Sequence, residues 1–158
     1  MAKGNEIVVT SNPRGCFKEG LIDGALKPGT LMQLKASTAA VGGRFTWQRY
    51  QRGTDGERSL VAVLLPDHLQ GKTATQAYVD GDRCFLYCPV AGEEINVLVD
   101  DISGTADDVA IGDRFIIDTE TGRLIATTGT PESEPFEALE AVVDPTADHL
   151  VYCQYTGY

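Results

Sequence analysis

Gly81-Asp82-Arg83-Cys84-Phe85-Leu86-Tyr87 and Gly112-Asp113-Arg114-Phe115-Ile116-Ile117 open on the same tripeptide and continue into short apolar runs. A Gly-Asp pair supplies a tight turn, and the run behind it supplies a strand to bury. Between and after them stand Ile95 to Val99, whose Ile95, Val97 and Val99 share one face, and Arg123 to Thr127. The spacing predicts two hairpins. Arg83 to Pro89 would fold onto Ile95 to Val99 over Ala91-Gly92-Glu93-Glu94. Arg114 to Ile117 would fold onto Arg123 to Thr127 over Asp118-Thr119-Glu120-Thr121-Gly122, with Gly122 suited to a left-handed position.

Further strands fit on either side. Leu31 to Lys35 and Phe45 to Tyr50 are β-prone, and Gly53-Thr54-Asp55-Gly56 is a turn. Leu60 to Leu65 is continuously apolar, as a strand buried on both faces would be, and Pro66 closes it. Residues 66–77 have no period and read as a surface loop. Phe136 to Val143 carries helix-favouring Ala, Leu and Glu, yet Leu139, Ala141 and Val143 alternate; strand is the preferred reading. Leu150 to Tyr155 is a last strand. Eight or more short strands at such spacing indicate an all-β sandwich or barrel, a single compact body over residues 30–158. Residues 1–29 are broken by glycines at 15, 20, 24 and 29 and hold few apolar anchors, so they read as an extended N-terminal arm or an irregular edge.

With 158 residues the chain can bury a real core. No run approaches the roughly 18 apolar residues that span a bilayer, so no membrane partner is expected. An N-terminus without an apolar signal core makes export unexpected. The net charge of −10 is unevenly spread. Residues 1–58 hold nine Lys/Arg against five Asp/Glu, 59–123 hold four against twelve, and 124–158 hold six acids and no Lys or Arg. A bare acidic third cannot contact phosphates, so no nucleic-acid partner is expected either. The basic N-terminal third suits an acidic surface, including that of a neighbouring copy; scattering for solubility is the plainer alternative.

No reactive constellation emerges. His68 and His149 are the two histidines, and neither adjoins a nucleophile motif. Along a strand, Cys84 and Cys88 would lie about 13 Å apart, too far for a disulfide or shared zinc. With Cys16 and Cys153 they read as buried reduced thiols. Asp100-Asp101 and Asp107-Asp108 lack the calcium-loop pattern and read as a solvated loop. Gly112-Asp113-Arg114-Phe115-Ile116 is similar to a strand of trimeric dUTPases, but that family's Arg-Ser-Ser and Phe-Gly-Ser-Thr-Gly segments are missing. No enzyme, no cofactor and no metal are expected.

Taken in order, Tyr78 to Arg83, Glu94 to Val99, Ile111 to Phe115, Asp118 to Ile125 and Phe136 to Val142 resemble the head decoration, or capsid cement, proteins of tailed bacteriophages. The resemblance covers roughly residues 60–158. It implies a β-barrel or β-tulip body, a homotrimer, and a place on the capsid exterior after synthesis in the host bacterial cytoplasm. It implies the major capsid protein as partner, clamped without catalysis, often through an N-terminal arm. Ile7, Val8, Val9, Arg14, Phe17 and Lys18 are then candidate contacts, as are Tyr152, Tyr155 and Tyr158, whose alternative is an ordinary strand face. A different class, a free β-barrel module binding glycan, would use Trp47 and Tyr50 as stacking residues.

Overall fold

The computed structural model describes residues 7–8, 13–35, 40, 42–51, 60–70, 73, 75–100, 108–118, 120–126, 135–143, 145 and 149–157. The described elements are strands, apart from one 3-10 turn at His68–Gln70. They run β1 (Cys16–Asp23), β2 (Leu31–Leu34), β3 (Phe45–Arg49), β4 (Ala62–Leu64), β5 (Arg83–Cys88), β6 (Glu94–Leu98), β7 (Arg114–Ile117), β8 (Leu124–Ala126), β9 (Phe136–Ala138) and β10 (Leu150–Tyr155). The all-β expectation holds.

Two sheets make the body. The first is a closed barrel in the order β1-β3-β2-β4-β5, sealed where β5 returns to β1. Its pairs are antiparallel except β1 with β3. The second sheet runs β6-β10-β9-β7-β8, antiparallel throughout. It curls until Val99, just past β6, bridges Leu124 at the start of β8.

Strand alternation distributes the apolar side chains between two cores. Ile22, Met32, Trp47, Ala62, Leu64, Cys84, Leu86 and Cys88 fill the barrel. Their neighbours Leu31, Val63 and Tyr87 point the other way, into a larger core with Ile95, Val97, Phe115, Leu124, Phe136 and Val151 of the curled sheet. The wall formed by β2, β4 and β5 is therefore buried on both faces, which is why residues 61–64 are continuously apolar, whereas Leu60 before them is 53% exposed.

Four turns of one design feed strands. In Lys27 to Thr30, Val79 to Asp82, Val90 to Glu93 and Ala110 to Asp113, the fourth N–H donates to the first carbonyl at 3.0–3.2 Å. The third residue is glycine at φ between 82° and 93°. This is type II geometry, and a side chain at that φ would be strained. In the last three turns the closing acid also accepts the first residue's N–H. The two Gly-Asp-Arg starts thus belong to a larger set.

The structure changes several expectations. Residues 16–23, read as arm or irregular edge, form a barrel strand. Gly20 is not a breaker there: a Cβ on it would stand 2.3 Å from the Trp47 ring, so its lack of a side chain makes room for that ring. The β7–β8 hairpin forms as expected, and Gly122 is left-handed at φ 70°. The first expected hairpin does not form: β5 pairs with β1 and β4, whereas β6 pairs with β10. The Val90 to Glu93 turn carries the chain from one sheet to the other. Strand structure after Phe136 stops at Ala138, and Val142 only bridges Val109. Of the four thiols, Cys16 is exposed rather than buried. Residues 53–56, Asp101 to Asp107 and Thr128 to Glu134 lie outside the described residues.

Candidate interface site

The best-organised polar cluster sits where the chain crosses between sheets. Glu93 is 1% exposed. Its Oε2 accepts the Tyr87 hydroxyl (2.7 Å) and the Val90 N–H (2.9 Å). Its Oε1 accepts the Arg14 N–H and the Gly15 N–H, the latter at 3.1 Å. Gly15 N–H is shared with the Tyr87 hydroxyl oxygen at 2.9 Å. Burial alone would raise the pKa of this carboxyl. The hydrogen bonds from Tyr87, Val90, Arg14 and Gly15 outweigh it and hold the pKa below the usual carboxylate value. Burial and the bond to Glu93 push the Tyr87 hydroxyl up to about 12. The carboxylate thus clamps the segment leading into β1 to the β5–β6 corner. With all four of these bonds made within the fold, its role is structural.

The outer face of the barrel next to this clamp mixes apolar and charged side chains. Phe17 is 61% exposed although its ring leans on Tyr87 at 4.9 Å. Glu19 lies two residues further on and accepts Arg44 Nε (2.7 Å) and Arg83 Nε (3.1 Å). Arg83 stacks over Phe85 at 4.7 Å. Exposed ion pairs of this kind contribute about 0–1 kcal/mol each, so the cluster orders its side chains more than it stabilises the fold. Elsewhere, exposed Ile111 and Val143 flank the Val109–Val142 bridge.

The expected contact residues separate into three groups. Ile7 and Val8 are consumed by the body: Ile7 is buried, its carbonyl accepts Asn96 N–H, and Val8 bridges Ile95, covering the β6 edge. Arg14, Phe17 and Lys18 are exposed, with Arg14 also donating through Nη2 to the Ala91 carbonyl at 3.4 Å. Tyr152 and Tyr155 are half-buried; Tyr152 donates to Glu94 while its N–H meets Glu140 Oε1 at 2.8 Å, and Tyr155 packs on Phe136 at 5.2 Å. Val9 and Tyr158 lie outside the described residues. The stacking residues of the glycan reading are not available, since Trp47 and Tyr50 are buried.

Among the described residues, no group of three His, Cys, Asp or Glu side chains is placed to hold a metal. An open polar groove of about 480 Å³ runs between Asp23, Leu26, Arg49 and Asp80. Its carboxylates are engaged, Asp23 with Lys35 Nζ (2.8 Å) and Asp80 with Gly24 N–H (2.9 Å). The clamp at Glu93 was hidden in the sequence because the residue reads as loop. The available signal was the pattern Gly followed by an acid, which recurs at 81–82, 92–93 and 112–113.

No family model matches the chain, and no curated protein is significantly similar to it. Among solved structures, the fold is similar to that of the head fiber gp8.5 N base in bacteriophage phi29. The TM-score is 0.53 at 10% identity, covering 90% of this chain and 94% of that one. At that identity the likeness is one of fold.

Proposed function

We propose that this chain is a structural protein of a bacteriophage head, seated on the capsid exterior as a homotrimer that clamps neighbouring major capsid proteins. The observation that carries the reading is the match, over nine-tenths of both chains, to the base of a phage head fiber. The strand-and-turn resemblance of residues 60–158 to capsid cement proteins supports it from an independent direction. A non-enzymatic role accords with the Glu93 cluster, whose carboxylate is spent on holding the fold. Because Ile7 and Val8 are taken up by the β6 edge, contact with the capsid falls to the exposed Arg14 and Phe17, with Lys18 exposed on the other face of β1. Weak contacts of this size would gain strength by repetition over the lattice.

The test uses the purified full chain mixed with expanded heads of its source phage. Electron cryo-microscopy should show threefold density on the shell exterior, and light scattering should report the trimer. Phe17→Asp, at an exposed position, should keep the fold and reduce head binding at least tenfold. Heads that carry no density for this chain would overturn the reading, whatever the oligomeric state.

A further inference from the structure

Cys16 and Cys88 are directly opposite each other in the antiparallel β1–β5 pair. Directly opposed residues of such a pair have Cα atoms about 4.5–5.5 Å apart, inside the roughly 4.4–6.8 Å range that a disulfide bridges. Both side chains lie on the same face, since opposed residues share a face. Cys16 is exposed at the open end of the barrel, whereas Cys88 belongs to the barrel core. The two thiols interact: burial first, then the neighbouring Cys16, push the Cys88 thiol up to about 12. The remaining cysteines have no such partner across a strand. Cys84 faces Gly20, and Cys153 faces Ile95 and Ala138.

We propose that Cys16 and Cys88 are a latent redox pair, held as thiols while the surroundings are reducing and closing to a cross-strand disulfide under a small-molecule disulfide oxidant such as oxidised glutathione. Exposure sets the order of events. The Cys16 thiolate attacks one sulfur of the oxidant, forming a mixed disulfide and releasing one reduced glutathione. Cys88, deprotonated, then attacks the Cys16 sulfur, forming the intramolecular bond and releasing the second glutathione. Two thiol protons leave, and the two electrons end on the two glutathione thiols. The second step is the slower, because the buried Cys88 is rarely a thiolate. The bond would fasten the first residue of β1 to the last of β5 beside the Glu93 clamp, across a loop running from residue 16 to 88. Closing so long a loop constrains the unfolded chain strongly.

The experiment incubates the reduced full chain with oxidised glutathione at mildly alkaline pH, quenches with acid and maps peptides without reduction. The expected product is a Cys16–Cys88 linked peptide, with the protein lighter by two hydrogens. Its melting temperature should rise by about 5–15 °C, reversed by dithiothreitol. Cys88→Ser should stop at a single glutathione on Cys16, and Cys84→Ser should still close. Persistent glutathione on Cys16 of the unaltered chain, or linkage of Cys16 to any other cysteine, would overturn the proposal. That map of the unaltered chain decides the matter even if a variant fails to fold.

Discussion

The barrel and the curled sheet each have five strands, yet they bury their apolar surface in different ways. The barrel encloses a small core of its own around Trp47, Met32 and Leu86. The curled sheet encloses none alone; its Phe115, Phe136 and Val151 pack on the outside of the barrel wall, against Leu31, Val63 and Tyr87. One wall therefore serves two cores. The lesson is that the two sheets should melt as one cooperative unit even though only one of them is closed.

The sharpest way to break this comparison is Phe136→Ala. Phe136 is fully buried in the shared core, far in sequence from the barrel. Deleting a buried ring of this kind costs about 3–5 kcal/mol. The chain has one tryptophan, Trp47, and it lies inside the barrel. Its fluorescence therefore reports on the sheet that does not carry the substitution. Urea titration should show the Trp47 midpoint falling together with the far-ultraviolet circular dichroism signal. An unchanged Trp47 midpoint would mean that the barrel stands alone.

Glu93 gives the second test, because it ties the two regions at the corner. Glu93→Gln keeps the size but replaces a charged acceptor with a neutral one, and one of its oxygens with a donor facing N–H or O–H groups. A loss of about 1–3 kcal/mol is expected from the unmade bonds. The effect depends on pH. The folded-state pKa of Glu93 is lowered, so its contribution is complete above the ordinary glutamate value of 4.5 and is lost as pH falls through the folded value. Asp118 behaves alike: burial would raise it, but the Thr121 hydroxyl (2.5 Å) and the N–H groups of Glu120 and Thr121 hold it down. The unaltered protein should thus lose stability on acidification below about pH 4.5, and Glu93→Gln should flatten part of that slope in thermal melts. Parallel slopes would remove Glu93 from the corner's energetics.

How much of this was readable in advance depends on how local each signal is. The β7–β8 hairpin is legible because its turn and both its strands fall within residues 114–126, and Gly122 marks the left-handed position. The β5–β6 crossing is not, because a sheet-changing turn and a hairpin turn use the same Gly-acid chemistry. The choice is made by Glu93 reaching Arg14 and Gly15, which lie 79 and 78 residues away. Strand β1 is obscured for a similar reason. Gly20 reads as a breaker until the Trp47 ring is seen occupying the space of its missing side chain. At the candidate interface, Arg14, Phe17 and Lys18 stay exposed. Ile7 and Val8 do not, because an apolar pair beside an open β6 edge finds its own body first.

The smallest expected effects come from the repeated turns, and they probe the same coupling most finely. Gly81 feeds the barrel strand β5, and Gly112 feeds the curled-sheet strand β7. Their φ angles are 82° and 90°, and a Cβ on either would meet nothing within 4 Å. Alanine at each therefore introduces backbone strain without a clash, at a cost of about 1 kcal/mol. In a unit of this size that is a fall in melting temperature of roughly 2–4 °C. If the shared wall couples the sheets, Gly81→Ala and Gly112→Ala should lower the Trp47 fluorescence transition by the same amount. Their double variant should add, since a Cβ at either position meets nothing within 4 Å. A Gly112→Ala shift visible in circular dichroism but absent from Trp47 fluorescence would mean that the curled sheet melts first, leaving the barrel held by its inner core alone.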